Sequence, residues 1–176
     1  MKRPIRKWEL IGIAVIASLG ALLHFAFEWS GELRPIAVFA AVNESVFEHL
    51  KLTYWPALFY AAVEYKFIRE SAKNFIIGKT AGLYVMPAAI MALFYAYTTI
   101  TGSENLIADI AIFVGAVALG QLASYRILIR ERLSPSLHRA ALAGLISLGV
   151  IYAVFTFHPP HLPIFLDPVT GSYGIP

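Results

Sequence analysis

The sequence predicts an all-α fold: a polytopic bundle of five transmembrane helices with an outer amphipathic or re-entrant helix and an ordered C-terminal cap. Three observations carry this. Of the 176 residues, 59% are hydrophobic and only 14% charged, where soluble domains carry about a quarter charged residues. Twelve of the 14 Lys and Arg residues fall in three short clusters: Lys2, Arg3, Arg6 and Lys7; Lys66, Arg69, Lys73 and Lys79; and Arg126, Arg130, Arg132 and Arg139. Between them run apolar segments close to the ~20 residues that a helix needs to cross the ~30 Å hydrocarbon core. The positive-inside bias assigns all three clusters to the cytoplasmic face of a cell membrane, so the N-terminus is expected inside and the C-terminus outside.

The first span, residues 8–29, has a tryptophan at each end, as interfacial anchors require. A cleaved signal peptide is the alternative, with Ala17, Ser18, Gly20 and Ala21 as processing-site mimics, but the run continues apolar to Trp29. Small residues at helical spacing, Ala14, Ala17 and Ala21, lead on the same stripe to His24 and Glu28. Residues 35–68 would make a helix of about 50 Å, longer than the core is thick. The reading therefore divides them. Residues 35–51 form an amphipathic helix on the outer side, with Glu44, Glu48 and Lys51 on one face and Phe39, Val42 and Val46 on another, and residues 54–68 form the second span.

Span three covers residues 76–99 with Pro87 in its middle, span four 105–128 and span five 137–157. Residues 158–176 contain five prolines and two glycines, which exclude continuation of the helix. Ile164, Phe165, Leu166, Val169, Tyr173 and Ile175 give this tail the apolar surface of an ordered cap. The whole chain, 1–176, is read as a single integral membrane domain.

Composition also bounds the chemistry. The net charge of +3 at a mean hydropathy of +0.68 does not indicate nucleic acid, because the basic residues border apolar segments and form no stripe. The implied partner is the lipid bilayer, and oligomeric state is not legible. With no cysteine, thiolate ligands and thiol nucleophiles are excluded. Any metal would be held by imidazole and carboxylate, the donors of a divalent ion such as zinc.

The topology sends four of five histidines and seven of 11 acids to the outer face. His24, Glu28, Glu44, Glu48, His49, His158 and His161 are the candidate ligands, with Asp167 nearby. His24/Glu28 and Glu44/Glu48 are i,i+4 pairs, which place two side chains on one helix face. His24, Glu28 and Glu48 are also the candidate acid/base groups for chemistry on a lipid-like or small substrate. The competing reading has these groups hydrogen-bonding to one another and to backbone, tying helices together. Glu64 is read as a snorkelling or locally paired carboxylate beside Lys66 and Arg69. Asp109, one turn into span four from the outer face, is read either as joining the outer cluster or as opposing a helix dipole, and Gln121, Tyr84, Tyr95, Tyr97 and Tyr152 as inter-helix hydrogen bonds or interface anchors. Beside the enzyme stand two rivals: a non-enzymatic protein that binds or transports a cation or an apolar ligand, and a structural protein.

Two segments, Asn43-Glu-Ser-Val-Phe-Glu-His-Leu-Lys51 and Pro163-Ile-Phe-Leu-Asp-Pro-Val-Thr-Gly-Ser-Tyr-Gly174, resemble those of a family of small multi-pass prokaryotic membrane proteins with no assigned function. That resemblance implies the architecture and no activity. The segment His24-Phe-Ala-Phe-Glu28-Trp29 is similar, more weakly, to the sterol isomerase and sigma-2 receptor group, whose members carry a histidine and a glutamate separated by three residues on one span and another acid on a neighbour. Glu44, Glu48 or Glu64 would be that second acid, and the likeness implies an isomerase.

Overall fold

A computed structural model describes residues 2–175; Met1 and Pro176, the ends of the expected domain and cap, lie outside the described residues. The chain is all-helical. Its order is α1 (Lys2–Trp29), α2 (Arg34–Ala37), α3 (Val46–Ile68), α4 (Phe75–Thr101), α5 (Leu106–Leu128) and α6 (Pro135–Phe157), followed by the short 3₁₀ turn Pro163–Phe165. Leu166 and Tyr173 pair as one isolated antiparallel bridge, the closest approach to a sheet among the described residues.

Four helices, α1, α4, α5 and α6, are long and apolar enough to cross a membrane, the signature of a membrane protein. Their outward faces carry Leu10, Leu22, Phe25, Leu119, Leu122, Ile146 and Val150, all exposed, an apolar exterior that water would not tolerate over such an area. The fifth long helix, α3, is not apolar enough to join them, because it carries Glu48, Lys51, Glu64 and Lys66. It is nevertheless the most enclosed, packing against α1, α4, α6 and the 3₁₀ turn.

The helix expected over 35–51 does not form. Pro35 starts a single turn, residues 38–45 run irregularly, and α3 begins at Val46 and continues unbroken through the expected break at 52–53. The physical reason is the cap. Ser45 is extended and its hydroxyl accepts the Glu48 amide hydrogen, which stops the helix from starting earlier. Pro56 sits within α3 and Pro87 within α4, each accommodated inside its helix.

Close approach of backbones sets the packing. A Cβ on Gly120 would stand 2.9 Å from the carbonyl oxygen of Gly82, and one on Gly82 the same distance from that of Gly120. The α4/α5 crossing therefore depends on both glycines, the small-residue contact that membrane helices favour. The main core gathers Ile16 from α1, Phe47, Leu50, Tyr54 and Tyr60 from α3, Leu83, Met86 and Ile90 from α4, and Ala116 and Val117 from α5.

The three basic clusters gather at one end. Trp8 stacks on Phe67 with ring centroids 4.4 Å apart, and the Asn74 side chain donates to the carbonyls of Ile127, Arg130 and Glu131. At the other end the C-terminal segment folds over the bundle. Asp167 accepts from the amide of Val169 at 3.0 Å and the hydroxyl of Thr170 at 2.6 Å, and its own amide donates to Ser172. Phe165 packs on Phe47, centroids 4.5 Å apart, while Asn43 donates to the Gly174 carbonyl at 2.7 Å. The two segments singled out in the sequence thus lie against each other.

Candidate metal centre

Where the C-terminal part of α1 meets the N-terminus of α3, three donors converge. His24 comes from α1, His49 from the first turn of α3, and Glu44 from the connection just before it. His24 Nε2 lies 3.1 Å from His49 Nε2. Glu44 Oε2 is 3.6 Å from the first and 3.4 Å from the second. Donors at about 2.0–2.2 Å from one ion with tetrahedral angles stand roughly 3.4 Å apart. The three sides of this triangle match one face of such a tetrahedron.

Local structure orients the donors. Asn43 accepts the Ser45 amide hydrogen at 2.9 Å, making a turn that throws Glu44 outward between the two imidazoles. His49 Nδ1 lies 2.9 Å from the Ser45 carbonyl oxygen. A carbonyl only accepts, so Nδ1 carries the hydrogen, and neutral His49 points the lone pair of Nε2 into the cluster. This is the tautomer that a metal requires, set by the outer hydrogen bond that ligating histidines use. Without an ion, His24 Nε2 holds the hydrogen shared with His49 and Glu44. An ion displaces it to Nδ1 or to solvent, so binding releases a proton when the pair begins protonated.

Electrostatics favour a cation here. The hydrogen bond from His24, and one from His49 whenever its Nε2 is protonated, hold the Glu44 carboxyl well below the usual carboxylate range, against desolvation that acts in the opposite direction. Glu44 is therefore ionised at any physiological pH. The cluster is half open: the side chains of His24, His49 and Glu44 are 26%, 33% and 49% exposed, which leaves a fourth coordination position facing solvent. These three are the group of His, Asp and Glu side chains able to hold one ion among the described residues.

The other residues expected at the site lie elsewhere. Glu48 is buried, with Oε2 2.6 Å from Lys51 Nζ and accepting the Val42 amide hydrogen at 3.0 Å. Lys51, fully buried, also donates to the Ala37 carbonyl at 2.7 Å and to Thr156 Oγ1 at 2.8 Å, so all three ammonium hydrogens are used. This network ties α2, α3 and α6 and orders the connection that carries Glu44. Glu28 is exposed one turn beyond His24 and makes no ion pair or side-chain hydrogen bond among the described residues. His158 and His161 are both exposed, and His161 stacks on Tyr173 with centroids 4.6 Å apart. Asp109 accepts from the Tyr97 hydroxyl, closing the α4/α5 turn, and Tyr84 donates across to Gly144 on α6.

Sequence reasoning passed over the helix start that organises this site. Ser45-Val-Phe-Glu48 has the spacing of a capping box, a signal that would have placed the start of α3 at Val46 and Glu44 in a turn outside it. Glu9, which shares Lys79 with the fully buried Glu64, had no such signal: the three reside on different helices.

A family model described as a family of unknown function (DUF6512) matches residues 1–175. The chain belongs to that family. No curated protein and no solved structure matches it.

Proposed function

We propose, for this member of the DUF6512 family, a five-span membrane protein that binds a divalent ion of the zinc class through His24, Glu44 and His49 at the outer end of its bundle, and uses it for chemistry on a lipid-like or small substrate. The observation that carries the reading is the donor triangle with the His49 tautomer already selected. Two imidazoles and one carboxylate with an open fourth position form the ligand set of catalytic rather than closed structural zinc sites. Water at that position, made acidic by the ion, would supply a nucleophile.

The topology rests on the same physics. The fifth span is α3, whose Glu48, Lys51 and Glu64 are hidden within the bundle, Glu48 against Lys51 and Glu64 against Lys79, the placement beside opposite charge that makes ionisable groups tolerable at membrane depth. Basic residues at the opposite end support a cytoplasmic N-terminus, which puts the cluster and the cap outside.

A second reading, capture of a cation without chemistry, is favoured by the fate of Glu48. The carboxylate most naturally placed to act as general base is committed to Lys51 and Val42, leaving exposed Glu28 as the nearest acid on α1. Elemental analysis of purified protein distinguishes the outcomes. One zinc-class ion per chain is expected, lost in the His24→Ala, His49→Ala variant; absence of stoichiometric metal after zinc loading overturns the site. Turnover of fluorogenic acyl-ester and phosphoester lipids by loaded protein, absent from that variant, identifies an enzyme. Metal without turnover leaves the capture reading.

A further inference from the structure

At the basic end of the bundle, three charged side chains from three helices meet away from solvent. Glu9 of α1, Glu64 of α3 and Lys79 of α4 are 3%, 0% and 6% exposed. Lys79 Nζ donates to Glu9 Oε1 at 2.7 Å and pairs with Glu64 Oε2. From α5, Ser124 Oγ donates to the same Glu9 Oε1 at 2.8 Å, and Gln121 Nε2 donates to the Glu9 backbone carbonyl at 3.1 Å. Tyr60 on α3 lies beside both acids, but its hydroxyl is committed to the Trp8 carbonyl. Among the described residues, Glu9 Oε2 and Glu64 Oε1 have no hydrogen-bond partner.

Two counts disagree with a fully ionised triad. One ammonium faces two carboxylates, which leaves a net negative charge in a site where an uncompensated ion costs several kcal/mol. Carboxylate oxygens only accept, so the two orphaned oxygens face no donor, a further cost of about 1–3 kcal/mol each. One proton removes the net charge, and with it the cost of holding a second, unneutralised carboxylate out of water. No other side chain around the triad can do so: α3 contributes Tyr60, α5 Ser124 and Gln121, and Arg6 is exposed at the mouth of the neighbouring cleft. That cleft, a cavity of about 160 Å³ between α1 and α5, is lined by Arg6, Glu9, Gln121 and Tyr125 and gives the triad a route to the basic face.

We propose that Glu9, Glu64 and Lys79 form a proton-binding site that holds one exchangeable proton at neutral pH on its paired carboxyl groups and loads it from the basic face through the α1/α5 cleft. The step is addition of a proton from water to a carboxylate oxygen; no other bond changes. It is independent of the ion at the opposite end.

Infrared spectroscopy of the full chain in lipid vesicles at pH 7, with chelator present, tests this. A carbonyl stretch of a protonated carboxylic acid is expected, shifting after transfer to D₂O. Either Glu9→Gln or Glu64→Gln should abolish it, since one carboxylate then balances Lys79 and needs no proton. Circular dichroism and a monodisperse gel-filtration profile establish that each isosteric variant is folded. Absence of the band from wild-type protein, which requires no variant, overturns the proposal. So does a band that survives both substitutions, or one that D₂O fails to shift.

Discussion

The two ends of the bundle use the same side-chain chemistry to opposite ends. At the cap end, His24, Glu44 and His49 leave a quarter to a half of each side chain in solvent. At the basic end, Glu9, Glu64 and Lys79 are sealed. Both clusters are built on α1 and α3. Exposure separates them: an exposed donor set can exchange water for an ion with little loss to the fold, whereas a sealed set of charges is part of the fold and cannot lose a member alone.

Breaking the sealed end should therefore give the largest effect. Lys79→Ala leaves two carboxylates buried together, and a loss of about 3–5 kcal/mol is expected, read as a collapse of thermal stability in detergent. Next comes the packing that separates the ends. Gly120→Leu forces bulk into a crossing where a Cβ would meet Met86 within 2.4 Å, with an expected cost of about 1–3 kcal/mol or more. At the open end, His49→Ala should abolish ion binding while changing stability by less than about 1 kcal/mol, checked by zinc titration and melting of the same sample.

Acid sharpens the contrast. Glu44 is held below its ordinary range, so its contribution to the native state is present above that range and is lost as pH falls through the lowered value. Glu44→Gln should lower the melting temperature at pH 5 and above, with the gap closing only below about pH 4. Ion affinity should also fall with acid, because protons compete with the ion for the donor lone pairs. The smallest effect is expected of His161→Ala, an exposed stack on Tyr173, within about 0.5 kcal/mol by chemical denaturation.

Much of the architecture was legible. The apolar runs and the proline-rich tail follow from rules that act within a few residues, and α4, α5 and α6 start and stop within two residues of the expected spans, whereas α1 begins at Lys2, six residues before the expected start at residue 8. The segment from 35 to 53 was not, because Glu48 and Lys51 have the polarity of a wet surface. Their burial rests on Thr156 and the Ala37 and Val42 backbone, partners up to 108 residues away. Within the candidate site, His24, Glu44 and His49 were in the expected set, but nothing in the pattern separated them from Glu48, His158 and His161. Side-chain spacing speaks for one helix at a time, and this cluster takes its members from a helix, a turn and another helix. Glu64 was read against Lys66 and Arg69 for the same reason, while its partner lies on α4.

The tie between Asn43 and Gly174 bears on how the protein should be handled. Ile175 packs against the group formed by Phe27, Ala37, Ala40 and Val42, so a purification handle fused after the last residue would emerge beside the turn that carries Glu44. A polyhistidine sequence there would offer a crowd of competing imidazoles to any ion held by His24, Glu44 and His49, and would load or strip that site during nickel chromatography. Fusion before Lys2, at the far end of α1, leaves the native donors to compete only with one another.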